Sequence, residues 1–541
     1  MLDSAALPGA PPPDPVERLL QRVPTGIAEL DTILHGGLFR GGLYLITGAP
    51  GTGKTILSNQ IAVHHATTGG RVVYASLLSE TYTRMFAHLS SLSFFAAAGR
   101  DQLVGDALYY INGYSEMQTA GLTGLRAALQ GAIRDRHATL LIVDGALNAE
   151  AFAASPLALK EFIRGVQQFA EISGCTVLLL ASRDSGSSRP PGDVETTVDG
   201  ILHLRRQRVG ARAIRELEVA KLRGSNFVPG GHAIAIGDAG IVVYPRTEAL
   251  LTAAVDAMRT GAAARERVTL GIAGLDAMLQ GGVFSGSTTA LLGPPGSGKT
   301  LLGLHFLAEG ARRGERGLYF GLNEPPSVVV DAGDRVGLDL TREAAAGRIE
   351  VVWNLASEMD PDALAQDLLA RLRAGSFKRV FLDGLDTLGD IALATERLGP
   401  FFAALANGLR VLEVTTLVSV DLDTLFGPTV AIPIAGVSAV VENLIFLRYV
   451  ELRSELVRLI SVLKTRRSGH DLALRTFTID DAGITIASTF TSAEAVLTGL
   501  ARPVLGAMAY APTIDRPAAP ADARESDPGS EPPDADTAGS R

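Results

Sequence analysis

Two copies of one glycine-rich loop constrain this chain more than any other feature: GAPGTGKT at Gly48–Thr55 and GPPGSGKT at Gly293–Thr300. Each fits G-x-x-x-x-G-K-[ST], the pattern of a loop that cradles phosphate. The chemistry calls for these residue types. Gly48, Gly51 and Gly53, with Gly293, Gly296 and Gly298, let consecutive backbone N–H groups turn inward around an anion. Thr52 and Ser297 complete the loops, and the helix that follows offers its positive N-terminal end. Lys54 and Lys299 would reach the β/γ-phosphates, and the hydroxyls of Thr55 and Thr300 would hold Mg²⁺. LYLITGAPGTGKTILSNQIAVHHA runs from an apolar strand through the loop into a helix, and STTALLGPPGSGKTLLGLHFLAEGA repeats that order. A ligand-free glycine turn is the bland alternative, and finding the same context twice weighs against it. The chain is expected to bind ATP with Mg²⁺ at two places.

The loops belong to a longer duplication. Residues 24–55, PTGIAELDTILHGGLFRGGLYLITGAPGTGKT, match residues 270–300, LGIAGLDAMLQGGVFSGSTTALLGPPGSGKT, along their length. The sequence divides into a Pro/Ala-rich arm (1–22), a first domain (23–246), an Ala-rich linker (247–267), a second domain (268–495) and a C-terminal segment (496–541). Both arms carry the composition of disorder.

Composition narrows the class. Hydrophobic residues make up 47% and charged residues 20% of the 541, the balance of a globular chain with well-buried sheets. A net charge of −9 argues against a surface built for nucleic acid. The single Cys175 excludes a disulfide framework, and its setting, GCTVLLLAS, is that of a buried small hydrophobe. No apolar run approaches a membrane span, and the N-terminus lacks a secretory pattern, so a cytoplasmic location is expected.

Within each half, strands alternate with helices, which predicts a mostly parallel sheet covered on both faces. The strands read from the first half are LYLIT, RVVYASL, TLLIVD, TVLLLAS and GILHL. Those of the second are TTALLG, GLYFGL, RVFLD, TTLVSV and NLIFLRYV. Turn-punctuated, strand-like sequence follows the last of each set, an antiparallel extension that resembles RecA-like cores. The fold class expected is therefore α/β, with two tandem RecA-like P-loop domains. Asp144 closes ATLLIVD and Asp383 closes KRVFLD, where a carboxylate would grip the Mg²⁺ shell. RecA-like ATPases place a general base just past the strand after the P-loop helix, a place taken here by Glu80 and Glu324. Asp386 reads as a solvated or capping loop residue.

The paired halves, the GI-x-x-LD-x-x-L-x-GG entry, and the ends KLRG (221–224) and KTRR (464–467) resemble the KaiC family of double-domain RecA-like ATPases. The resemblance covers residues 23 to 495. It implies an ATP-dependent hexameric double ring, with a KaiB-like or other signalling protein as partner. It also implies that Lys221 and Arg223, and Lys464 and Arg466, act as fingers on the neighbouring subunit's γ-phosphate; without the family they read as basic residues in a solvated hairpin turn. Serine/threonine autokinase activity of the second domain is implied too. Ser438 and Ala439 align with that family's adjacent hydroxyl acceptors, so one hydroxyl survives; otherwise Ser438 is a small strand residue. The family's adjacent Glu–Glu pair is here Ser79-Glu80 and Asn323-Glu324, which predicts slow hydrolysis or a base role for the remaining glutamate.

Blander features complete the reading. His64 and His65, adjacent on a helix, point to different faces, which disfavours a shared metal. Trp353 is expected in a core or an interface. The basic stretch LRRQRVGARAIR (204–215) lacks the interleaved aromatics that stack bases and reads as a solvated hairpin partly touching a neighbour. Two other functions stay open: a RecA/RadA-type DNA-dependent ATPase, and an ATP-gated scaffold with little turnover.

Overall fold

The architecture comes from a computed structural model that describes residues 20–78, 82–98, 103–153, 155–182, 193–209, 212–251, 266–355, 359–388, 395–422, 437–452, 455–466, 468–487, 493–494 and 502–503. Both arms lie largely outside these residues, as do Ser79, Glu80, Arg467 and the greater part of the linker.

Counting strands of four residues or more, the first half contains β1 (Leu43–Gly48), β2 (Val72–Ser76), β3 (Leu108–Asn112), β4 (Leu140–Asp144), β5 (Thr176–Ser182) and β6 (Gly200–Val209). It continues with β7 (Arg212–Leu222), β8 (Gly231–Gly237) and β9 (Gly240–Tyr244). They form one nine-stranded sheet in the order β3-β2-β4-β5-β1-β6-β7-β8-β9. The first six run parallel and the last three return antiparallel. The second half repeats this with β10 (Thr288–Gly293), β11 (Gly317–Gly321), β12 (Ile349–Trp353), β13 (Arg379–Asp383), β14 (Thr415–Asp421) and β15 (Asn443–Leu452). Then come β16 (Glu455–Thr465), β17 (Arg475–Asp480) and β18 (Gly483–Ile486), in the corresponding order β12-β11-β13-β14-β10-β15-β16-β17-β18.

The central strands read as continuous apolar runs because helices cover both faces. In the first half α1 (Lys54–Thr67) packs Leu57 and Ile61 on one face, while α2 (Pro156–Ser173) packs Phe162, Ile163 and Val166 on the other. In the second, α3 (Lys299–Arg312) supplies Leu302, Phe306 and Leu307 to one face. There α4 (Pro361–Gly375) and α5 (Leu398–Val411) bring Leu368 and Phe402 to the other. Local sequence sets the helix starts: Ser155 accepts a hydrogen bond from the Ala158 N–H ahead of Pro156, and Asp360 accepts from Asp362 N–H ahead of Pro361. Among the described residues no helix is long and apolar enough to cross a membrane.

Several expectations are corrected. The edge strands β3 and β12 were not among the strands read from sequence; LYYIN and IEVVW are short and half-buried, so neither has the apolar run of a central strand. Of the two places expected for Trp353, a core or an interface, the core is excluded within the chain: it ends β12 with 40% of its surface exposed. Asp386 is tied to the sheet rather than solvated, accepting a hydrogen bond from Asp421 N–H at 2.9 Å. The basic stretch is a hairpin, as read from sequence, between β6 and β7; Arg205 pairs there with Glu218 at 2.6 Å and Arg212 donates to the carbonyl of Met359 in the second half.

The start of the stretch read as a linker is docked. Thr247 donates through both N–H and Oγ1 to the buried Asp362, each at 2.9 Å. Arg397 bridges Glu248 and Asp362 at 2.8 and 3.0 Å, and Leu251 enters the second domain's core. Removing Asp362 would leave the two Thr247 donors without a partner and Arg397 with Glu248 alone, in a largely dry place. Asp362→Ala should therefore lower second-domain stability by about 3 kcal/mol, read as a lower denaturation midpoint at unchanged slope.

Candidate functional site

Each glycine loop leaves the C-terminal end of its central strand and enters a helix at once. Gly53 and Gly298 take the turn at φ 106° and 103°, where L side chains are strained. A Cβ on Gly298 would also lie 2.9 Å from Ile479. Only glycine fits there, which explains the motif's last glycine in terms of this fold. At Gly51 a Cβ would meet nothing within 4 Å, so the first loop opens outward.

Lys54 and Lys299 are buried, and each folds back on its own loop. Lys54 Nζ donates to the carbonyls of Gly48 and Ala49 at 2.8 and 3.0 Å. Lys299 Nζ donates to those of Gly293 and Pro294, both at 2.9 Å. Ser297 Oγ is buried inside the second loop without a hydrogen-bond partner. A buried hydroxyl and a buried ammonium at the head of a helix are the donor set a phosphate group requires. The residues present therefore fit a nucleotide phosphate.

The residues expected from sequence to hold Mg²⁺ lie side by side in each half. Thr55 Oγ1 donates to Asp144 Oδ2 at 3.2 Å, and Thr300 Oγ1 to Asp383 Oδ2 at 2.9 Å. Parallel pairing produces this, since β4 and β13 end at the same edge of the sheet as the loop strands, Asp144 level with Leu180 and that with Ile46. Sequence reasoning missed the tyrosines: Tyr74 and Tyr319 each donate to the same aspartate oxygen at 2.9 Å. They occupy the second strand of each half, and the repeat of YAS and YFG at that place is a usable signal. Burial raises the Asp144 carboxyl above its ordinary range, against the lowering effect of Tyr74, Thr55 and Lys54. Burial also lowers the Lys54 ammonium, partly opposed by Asp144. Charge here is costly until a cation and an anion arrive together, and a magnesium–phosphate pair supplies that combination.

The base candidates fare unequally. Glu80 lies outside the described residues. Glu324 is exposed at the mouth of the second loop, and loss of water on one side, then the charge of Asp383, raise its carboxyl above the usual range. Asn323 beside it accepts a hydrogen bond from Thr387 Oγ1 at 3.0 Å.

The basic pairs lie elsewhere. Lys221 and Lys464 face Ile201 and Leu444, at the starts of β6 and β15, which run parallel to the loop strands. Both pairs thus sit at the end of the sheet opposite their own phosphate loops, a strand length or roughly 20 Å away. Lys221 donates to the carbonyls of Glu195 and Thr196, and Arg223 to that of Thr196, on the short helix α6 (Asp193–Thr197). Lys464 donates to the carbonyls of Ser438 and Val441, and Arg466 to that of Ala439, on α7 (Val437–Val440). They cap helix ends rather than waving in solvent. Ser438 is an exposed helical residue, not a strand residue.

Two further groups went unread. Tyr449 donates to the carbonyl of Gly296 at 2.6 Å, and Asp421, the last residue of β14, makes an ion pair with Lys299. Among the described residues, no cluster of three or more His, Cys, Asp or Glu side chains could hold a metal.

Comparison with known proteins agrees with this geometry. The family described as "ATPase: KaiC" matches residues 23–248 and again 268–490. The circadian clock oscillator protein KaiC of Picosynechococcus sp. is 27% identical over 489 residues, covering 89% of this chain and 92% of that protein. KaiC of Synechococcus elongatus is 26% identical over 486 residues, covering 89% and 92%. KaiC 1 of Synechocystis sp. is 25% identical over 500 residues, covering 90% and 93%. With both halves matched over nearly their full length, the chain belongs to the KaiC family of ATPases.

Proposed function

We propose that this protein binds and hydrolyses ATP with Mg²⁺ at two sites, assembles into an ATP-dependent hexameric double ring, and phosphorylates itself at Ser438. A signalling or timing role is in keeping with the relatives' printed name, circadian clock oscillator protein, and a KaiB-like or other signalling protein is the partner proposed with it. The supporting observation is the separation of each basic pair from its own loop. Lys221, Arg223, Lys464 and Arg466 are too far from the loop of their own domain to touch a phosphate held there, which supports a role on a neighbouring protomer's phosphate. Ser438 lies at the same end of the sheet, which makes its phosphate donor a neighbour's nucleotide too. Cations delivered across an interface neutralise transition-state charge only once the ring is complete.

In this reading Thr55 with Asp144, and Thr300 with Asp383, hold the metal, whose charge offsets that of the phosphates. Gly48, Gly51, Thr52, Gly53 and Lys54 cradle one triphosphate; Gly293, Gly296, Ser297, Gly298 and Lys299 cradle the other. Glu324 and Glu80 are the bases. Partial burial and the charge of Asp383 raise the Glu324 carboxyl, which makes its carboxylate a stronger base than an ordinary glutamate. The bond between Asn323 and Thr387 favours a second reading, an ATP-gated scaffold with slow turnover, because the amide cannot take a proton and is engaged elsewhere.

Four variants and one pH profile test these roles. Lys54→Ala should abolish ring assembly by native mass spectrometry with Mg-ATP, whereas a persisting hexamer would refute first-domain ATP as the glue. Lys299→Ala should still assemble but show no phosphate gain in intact mass, and Ser438→Ala should remove the same gain. A base must be ionised to act, so second-site phosphate release should fall on acidification at a pH above that of an ordinary glutamate, near ~4.3. Glu324→Gln should remove that limb and slow release by roughly 10²-fold; a profile unchanged by this variant would exclude the role.

A further inference from the structure

One buried phenol in each half reaches the place where magnesium would be held, and packing does not account for its oxygen. Tyr74 on β2 and Tyr319 on β11 are 0% and 1% exposed. In the parallel ladders Tyr74 is level with Ile142, and Tyr319 with Phe381. Asp144 and Asp383 come two residues later, so they share the sheet face of the tyrosines, the one that α1 and α3 cover. Each phenol donates at 2.9 Å to the aspartate oxygen that Thr55 or Thr300 also meets. Phenylalanine would fill either position with the same ring and without the cost of burying a hydroxyl.

What stands behind this bond differs between the halves. In the first, Asn59 Nδ2 donates to the Tyr74 oxygen at 3.3 Å, and Tyr110 on β3 donates to Asn59 Oδ1 at 3.2 Å. With that donation received, the Tyr74 proton is left for Asp144. Asn59 lies five residues after Lys54, and the residue five after Lys299 is Leu304. Support in the second half comes instead at the other carboxylate oxygen. Ser419 Oγ donates to Asp383 Oδ1 at 2.5 Å and accepts from Gly384 N–H at 2.8 Å. The bond from tyrosine to aspartate recurs while its supports have changed.

We propose that Tyr74 and Tyr319 are positioning residues, uncharged donors that fix the Asp144 and Asp383 carboxylates in the orientation that receives the magnesium ion accompanying ATP. This rests on the nucleotide-binding reading above and names the groups that set metal affinity within it. A carboxylate that can rotate loses that freedom when a cation binds, and the loss weakens the site. A bond to a buried phenol removes the freedom beforehand, when the chain folds. Lysine or arginine would hold the carboxylate as firmly but would offset the charge that attracts the cation. The phenol leaves that charge in place. A carboxylate has about four lone-pair sites, so the phenol bond and a metal contact are compatible on one aspartate.

The experiment is a Mn²⁺ titration of the full chain, loaded with a non-hydrolysable ATP analogue and freed of unbound nucleotide, read by loss of the free-ion electron paramagnetic resonance signal. Wild type is compared with Tyr74→Phe and Tyr319→Phe. Wild type should hold two ions per chain. Each variant should weaken one of them by roughly 10- to 100-fold, leave the other unchanged, and retain the analogue at both sites. A phenol with a purely structural role would lower the unfolding midpoint of the metal-free chain and leave Mn²⁺ affinity alone, which overturns the inference. If one variant fails to fold, the other half answers independently, because each tyrosine serves its own carboxylate. Wild type that takes up the analogue but no ion overturns the inference and leaves nucleotide capture standing. Wild type that takes up no analogue overturns both.

Discussion

Parallel pairing of the loop-bearing strand with its two neighbours is the constraint on which the rest of the molecule depends. Because β1 and β10 lie mid-sheet between parallel strands, every strand end that faces phosphate points the same way. That single polarity brings Thr55 within hydrogen-bond reach of Asp144, and Thr300 of Asp383, although each pair is more than eighty residues apart in the chain. It also brings Tyr74 and Tyr319 to those same aspartates. A slip of one residue in β4 or β13 would turn the carboxylate to the other face and dissolve the site.

The antiparallel return that follows β6 and β15 has the opposite consequence. It carries Lys221 and Lys464 back to the far end of the sheet, where they cap short helices instead of serving their own loops. One sheet therefore displays anion-binding loops at one end and cations at the other. In the ring proposed above, that polarity would set one protomer's cations against the next protomer's loops, head against tail. The segment Thr247–Leu251 docks on the second half through Thr247 on Asp362, Glu248 on Arg397 and the buried Leu251.

Duplication makes the differences between the halves informative. The loops, metal-ligand pairs, tyrosines and helix-capping cations recur in both, as expected if each half keeps the same pocket. Asp421 against Ser182 and Tyr449 on the second loop do not recur, and they cluster around Lys299 and Gly296. One frame has thus been kept while the electrostatics of the second pocket were changed.

The sequence alone determined the duplication, the two phosphate loops, the central strands and the aspartates that close β4 and β13. These are local patterns, a glycine turn that only one residue type tolerates and apolar runs long enough to be buried on both faces. It could not yield β3 and β12, whose half-buried edges lack that pattern. Nor could it tell that Lys221 and Arg223 sit a strand length from their own pocket, because that distance depends on the direction of the returning strand. Asp421 shows the limit most directly: in sequence it is the last letter of an apolar run, and only the pairing of β14 with β10 puts its carboxylate on Lys299. Residue type and short spacing are written in the chain, whereas which charge meets which is decided when strands distant in sequence pair in register.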